Sequence, residues 1–174
     1  MQRQNILKLL EGGDRRSIGH AGHVAALVSE TPALFSELIT GLWSDDRLVR
    51  MRAADAAEKF TRDHPNSLQP YKKDLLGLMA ETKEQELRWH LAAMITRLRL
   101  NAKEKRLAAS LLLLYLEDRS SIVRTSALQG LADLAEDDSI LRPKVIDLLR
   151  ESTRNGTPAM KARSRKLLLH LEGR

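Results

Sequence analysis

The chain has 174 residues, 43% hydrophobic but only 3% aromatic, and no cysteine. That length suits one domain with a sizeable core, and the missing cysteines exclude disulfides, thiolate nucleophiles and cysteine metal sites. Formal net charge is +6, which taken alone invites a nucleic-acid partner.

Leu and Ala dominate the apolar fraction while Gly and Pro are scarce, a mix that favours helices over sheets. The longest apolar run, Leu111 to Leu114, falls far short of the ~18 residues of a membrane span. The first residues, Met1 to Arg16, carry no apolar core followed by a cleavage site. The expectations are therefore no membrane and a cytoplasmic location.

Taken in chain order, the elements come in pairs. Residues 1–31 hold a turn at Gly12-Gly13-Asp14 and a faint helical stripe at Ala21, Ala25 and Val28. Residues 32–68 open at Pro32, run helical from Leu34 to Trp43, turn at Ser44-Asp45-Asp46 and continue as a second helix. That helix places Val49, Ala53, Ala56, Ala57 and Phe60 on one stripe. His64 to Ser67 reads as an inter-repeat loop. Residues 69–101 repeat the scheme from Pro70, with a helix over Tyr71–Ala80 and a second stripe at Leu87, Leu91, Ile95 and Leu98. In residues 102–138 the helices are Lys105–Leu116 and the one bearing Val123, Ala127, Leu131 and Leu134. Residues 139–174 pair Lys144–Arg150, near Pro143, with a last helix from Pro158 bearing Met160, Ser164, Leu168 and Leu171. Proline at these openings suits helix starts, where its missing N–H and fixed φ cost nothing.

Each second helix begins with an apolar residue followed by a base: Val49-Arg50, Leu87-Arg88, Val123-Arg124 and Met160-Lys161. The phrase from Pro32 through Ser44-Asp45-Asp46 to Val49-Arg50, Ala53 and Ala57 resembles the HEAT-repeat family, as does Glu117-Asp118 through Val123-Arg124 to Ala127. The resemblance implies an all-α fold, a right-handed α-α superhelix of about five helical hairpins, as a single domain over 1–174. A repeat of roughly 36 residues cannot bury its own apolar face, so neighbours stack into one core. The fold itself says little about function.

The recurring bases Arg50, Arg88, Arg124 and Lys161 admit two readings: a ladder for phosphates, or a partner for turn carboxylates such as Asp45 and Asp118, as the family resemblance implies. For catalysis there is no Gly-x-Ser-x-Gly elbow and no glycine-rich phosphate loop. His20 and His23 lie on one helix with only Asp14 and Glu30 near in sequence, short of the three or four ligands a metal needs. Asp45-Asp46 and Asp137-Asp138 read as turn and cap residues. The expectation is a non-enzyme with no cofactor and no metal.

In the resembled family the second helices line the concave face. Aligned across repeats, that face gathers Met51, Asp55, Trp89, Ala93, Gln129 and Lys166, with Arg52, His90 and Arg163 on its flank. These are the expected partner contacts, and the partner is expected to be a protein. Trp89 is either an interface anchor or a side chain packed sideways on a neighbouring helix. The charge is uneven: residues 1–87 carry 12 Lys+Arg against 13 Asp+Glu, residues 88–174 carry 17 against 10. Lys161, Arg163, Arg165 and Lys166 in the last helix are either a solvated cap, a phosphate-binding face, or a dock for an acidic protein. Nucleic acid bound through this basic end is the alternative function, weakened by the lack of aromatics between the bases. The sequence leaves the oligomeric state open.

Overall fold

A computed structural model describes residues 5–14 and 16–173. Met1 to Gln4, Arg15 and Arg174 lie outside the described residues, and with them parts of the expected first repeat and of the basic tail. The described residues form helices and no strand. The α-helices are α1 (Ala21–Glu30), α2 (Phe35–Thr40), α3 (Arg47–Asp63), α4 (Lys72–Glu81), α5 (Gln85–Ile95), α6 (Ala102–Tyr115), α7 (Ser121–Ala135), α8 (Leu141–Asn155) and α9 (Pro158–Glu172). Short 3-10 helices cover Ile6–Leu10, Pro32–Leu34, Gly41–Trp43 and Pro65–Tyr71. The single helix expected over Leu34–Trp43 is thus α2 with a tighter 3-10 turn at each end. The expected loop at His64 to Ser67 runs into the 3-10 helix Pro65–Tyr71, which also absorbs Pro70.

The starts of the second helices α3, α7 and α9 are set by short polar side chains that accept otherwise orphaned N–H groups, whereas α5 has no side-chain cap. Asp46 accepts from Leu48 N at 2.7 Å, Ser120 from Val123 N at 3.4 Å and Thr157 from Met160 N at 3.4 Å. α6 opens with a reciprocal box in which Asn101 accepts from Glu104 N and Glu104 accepts from Asn101 N. Asp138 accepts from both Ile140 N and Leu141 N at the head of α8.

The chain divides into two compact units, Met1–Pro70 and Tyr71–Arg174. In the first, α3 is the central element, packed by α1, α2 and the 3-10 turns at Ile6–Leu10 and Gly41–Trp43. Its expected stripe, Val49, Ala53, Ala57 and Phe60, is buried throughout, and Phe60 meets the Phe35 ring at 5.0 Å between centroids. In the second unit the hairpins α4/α5, α6/α7 and α8/α9 follow one another. Second helices adjoin second helices, α5 on α7 and α7 on α9, while α4 adjoins α6. Leu87, Leu91, Ile95 and Leu98, and then Val123, Ala127, Leu131 and Leu134, are buried as their spacing predicts. In α9 the stripe shifts by one residue: Leu167 is buried where Leu168 was expected, beside Met160, Ser164 and Leu171. Gly130 lets α7 lie close to its neighbours. A Cβ there would sit 3.0 Å from Leu112 Cδ1 and 3.1 Å from the Ala92 carbonyl oxygen.

Candidate functional site

The recurring base after each apolar residue is the first feature the structure resolves. Arg88 meets a carboxylate, but that of the next hairpin: its Nη1 donates to Asp118 Oδ2 at 2.6 Å. Its Nε donates to the Thr82 carbonyl, and the guanidinium lies 5.0 Å from the Tyr115 ring centroid. Burial pushes the Asp118 carboxyl up, yet the Ser120 N–H, the Arg88 hydrogen bond and the charges of Arg88 and Arg124 together hold it below its ordinary value. Burial likewise drives the Tyr115 hydroxyl well up, so it stays protonated and donates to the Met79 carbonyl at 2.7 Å. Arg50 instead donates to the backbone carbonyls of Ser44 and Asp45. Arg88 and Arg50 are thereby committed to holding turns.

Of the residues expected on a partner-binding face, Arg52 is placed elsewhere. It is 2% exposed, with its guanidinium donating to the carbonyls of Leu10, Gly12, Asp14 and Ser17. The described residues Leu10, Gly12, Asp14 and Ser17 close over it, a long-range closure that helical spacing on α3 cannot reveal. Met51 and Asp55 are half-buried on the same helix, and Asp55 takes Lys59 as an i,i+4 partner at 2.6 Å.

The remaining expected residues fall on three consecutive second helices of the second unit: Trp89, His90 and Ala93 on α5, Gln129 on α7, Arg163 and Lys166 on α9. Trp89 and His90 are half-buried with ring centroids 5.6 Å apart. Trp89 and Ala93 lie one turn apart on the same line of α5, and Thr96, just beyond its end, donates to the Ala93 carbonyl at 3.1 Å. Gln129 Nε2 donates to Asp133 Oδ1 at 2.7 Å, and Arg163 Nη1 donates to Gln129 Oε1 at 2.6 Å. A polar ladder therefore links Asp133 and Gln129 on α7 to Arg163 on α9. Burial raises the Asp133 carboxyl above its usual value, with Glu136 adding to the rise; Gln129, Thr96 and Arg163 oppose it. Two turns beyond Gln129 and Arg163, His170 Nε2 and Glu136 Oε1 lie 2.8 Å apart.

Sequence reasoning placed Gln129 and Arg163 on one face but missed Asp133, Glu136 and His170. A signal was present: Asp133 is four residues beyond Gln129, and His170 seven beyond Arg163, so each lies on the same side of its helix. The cross-helix pairs Gln129–Arg163 and Glu136–His170 both span 34 residues. Alignment by repeat had set Gln129 opposite Lys166, three residues on.

The basic end is unevenly occupied. Arg150 pairs with Glu172 and Asp147, Arg154 with Glu151, and Arg142 with the Glu136 carbonyl. Arg165 and Lys166 are exposed and Lys161 half-buried, and none of the three makes an ion pair among the described residues. Among those residues no group of three or more His, Asp or Glu gathers as a metal cage. None of their helices is long and apolar enough to cross a membrane. No protein-family model matches the chain, and no curated protein matches it.

Proposed function

We propose that the chain is a HEAT-like α-solenoid, a right-handed superhelix of about five hairpins, that acts without catalysis by binding another protein. The binding face is the row of second helices α5, α7 and α9. The observation that carries the reading is the ladder from Asp133 through Gln129 to Arg163, which ties α7 to α9. A face fixed in this way is preorganised, so a partner need not order it on binding. Trp89, half-buried on α5, supplies the aromatic anchor such interfaces favour. The alternation of hairpins in the second unit supports the solenoid reading, since each hairpin buries its apolar face only against the next.

The test is affinity capture from native lysate, with and without nuclease, on the natural chain and on Trp89→Ala. The expected result is a protein captured regardless of nuclease and lost with Trp89→Ala. The thermal midpoint should hold within about 4 °C, the equivalent of roughly 1 kcal/mol for a chain of this size. A much larger fall in the midpoint makes Trp89 a packing residue and removes it from the face. Capture that disappears with nuclease, and weakens steeply with salt, moves the reading to nucleic acid held by Lys161, Arg165 and Lys166.

A further inference from the structure

The first helices of the second unit form a feature that the ladder face does not use. Between α6 and the start of α8 lies a cavity of about 300 Å³, lined by Ala102, Arg106 and Ala109 on one side and Ile140, Leu141 and Lys144 on the other. Its floor is apolar. Ile140, 77% exposed, stands at its lip and adds to the apolar lining. Leu113, exposed on α6, continues the line of Ala102, Arg106 and Ala109, and Leu148, half-buried on α8, continues that of Leu141 and Lys144. From position 102 to 113 such a line runs about 16 Å at 1.5 Å per residue.

The rim is cationic. Lys105, Arg106 and Lys144 line it against a single acid, Asp138. That acid is already engaged: its Oδ1 accepts the Ile140 and Leu141 N–H groups, and its Oδ2 lies 3.9 Å from Lys105 Nζ. The two backbone hydrogen bonds, that from Leu141 foremost, hold the Asp138 carboxyl below its usual value, so it stays charged and spoken for. Arg106 and Lys144, both exposed, make no ion pair among the described residues. An apolar floor between two uncompensated cations has a definite complement.

We propose that this groove binds a short acidic peptide segment, in which one or two large apolar side chains enter the cavity and flanking carboxylates meet Arg106 and Lys144. Arginine offers a carboxylate two parallel N–H donors, and lysine a single compact charge. The apolar floor sets this occupant apart from nucleic acid, because the cavity lining has no aromatic ring on which a base could stack. The proposal stands apart from the ladder face, which lies on other helices.

The experiment is fluorescence anisotropy on the full chain with three probes. They are a labelled peptide in which Leu alternates with pairs of Asp and Glu, the same peptide with every Leu replaced by Ala, and a labelled single-stranded oligonucleotide. The Leu peptide should bind at least ~10-fold more tightly than the Ala peptide, the scale of burying one or two apolar side chains. The double variant Arg106→Glu/Lys144→Glu should weaken it ~10-fold or more, a rim-charge reversal. Ile140→Ser, at an exposed site, should weaken it several-fold with an unchanged circular dichroism spectrum and thermal midpoint. Arg165→Glu/Lys166→Glu on α9 should leave it unchanged, showing that the groove and not the overall positive charge is responsible. Equal binding of the Leu and Ala peptides overturns the proposal, as does tighter binding of the oligonucleotide. So does retention of affinity in the Arg106→Glu/Lys144→Glu variant, or the absence of binding to the Leu peptide.

Discussion

The two units each depend on an arginine near the start of a second helix, and they use it in opposite ways. In the first unit Arg52 is buried among backbone carbonyls, with Nη1 donating to Leu10 O at 2.7 Å and Gly12 O at 2.6 Å. Nη2 donates to Asp14 O at 3.0 Å and Nε to Ser17 O at 3.2 Å. In the second unit Arg88 keeps its edge in solvent and meets a carboxylate, Asp118, whose side chain is 4% exposed. One arginine closes a loop onto its own unit, while the other links successive hairpins. The difference teaches that the helix phrase fixes where an arginine projects, and its neighbours fix what it does. A carbonyl cage can take the place of a counter-ion where most donors are filled, and here four guanidinium N–H groups of Arg52 each meet a backbone carbonyl.

The largest effect should come from breaking the first arrangement. Arg52→Met keeps a long apolar stem but leaves the carbonyls of Leu10, Gly12, Asp14 and Ser17 without their donor. The expected cost is about 4 kcal/mol or more, since each such bond from a charged donor contributes ~1.5–3 kcal/mol net. Urea unfolding followed by circular dichroism measures it. A loss below about 1 kcal/mol would mean that water satisfies the loop and that Arg52 is dispensable.

Asp118→Ala should cost less, about 3 kcal/mol, because it leaves Arg88 half-exposed rather than entombed. Its pH dependence separates it from Arg52. The folded-state value of Asp118 lies below the ordinary carboxylate value, so its contribution is fully present above about pH 4 and fades as pH falls through the folded value. The gap between the natural chain and Asp118→Ala should therefore narrow in acid, whereas the Arg52→Met deficit should not follow that titration. A gap constant down to about pH 2 would contradict the ion-pair account.

Gly19→Ala probes the cage from the loop side. Gly19 has φ +51°, and a Cβ there would come within 2.9 Å of Arg52 Cζ and Nε. Alanine therefore meets both backbone strain and a steric conflict with a side chain pinned by its hydrogen bonds. A cost of about 1–3 kcal/mol follows, and it should largely vanish in the Arg52→Met background. Equal costs in both backgrounds would show that only the backbone matters at position 19.

These contrasts mark what could be read from the residues and what could not. The all-helical class and the buried stripes of α3, α5 and α7 follow from local spacing, and Val49, Ala53 and Phe60 lie where that spacing sends them. The capping roles of Asp46 and Asp138 were equally local. Arg52 was not legible, because its fate is decided by residues up to 42 positions away. The ladder was half legible. Helical offsets put Asp133 beside Gln129, but the shift that sets Gln129 against Arg163 rather than Lys166 depends on how α7 and α9 pack. The groove at Ile140 was invisible for the same reason, since an exposed isoleucine and two distant cations become one surface only once α6 and α8 are placed.

The smallest expected effect belongs to Asp133, and it tests whether the second unit's polar contacts serve stability or arrangement. Burial raises its carboxyl above the ordinary value, so the folded chain holds this proton more tightly than the unfolded chain does. By linkage, stability from this group is present in acid and declines as pH rises from about 4 through the raised value, then stays level. This is opposite in sign to Asp118, which precedes the start of α7 while Asp133 lies near its end. Asp133→Asn removes the titrating charge but keeps an oxygen to accept from Gln129 Nε2, so at neutral pH it should be neutral or stabilising, within about 0.5 kcal/mol. Paired unfolding curves at about pH 3 and pH 7 should show the variant gaining on the natural chain as pH rises. If Asp133→Asn instead costs stability at neutral pH, the carboxylate's bond to Gln129 outweighs its desolvation. The ladder would then be a stabilising element of the α7–α9 contact, and its polar groups would owe their presence to folding before any partner.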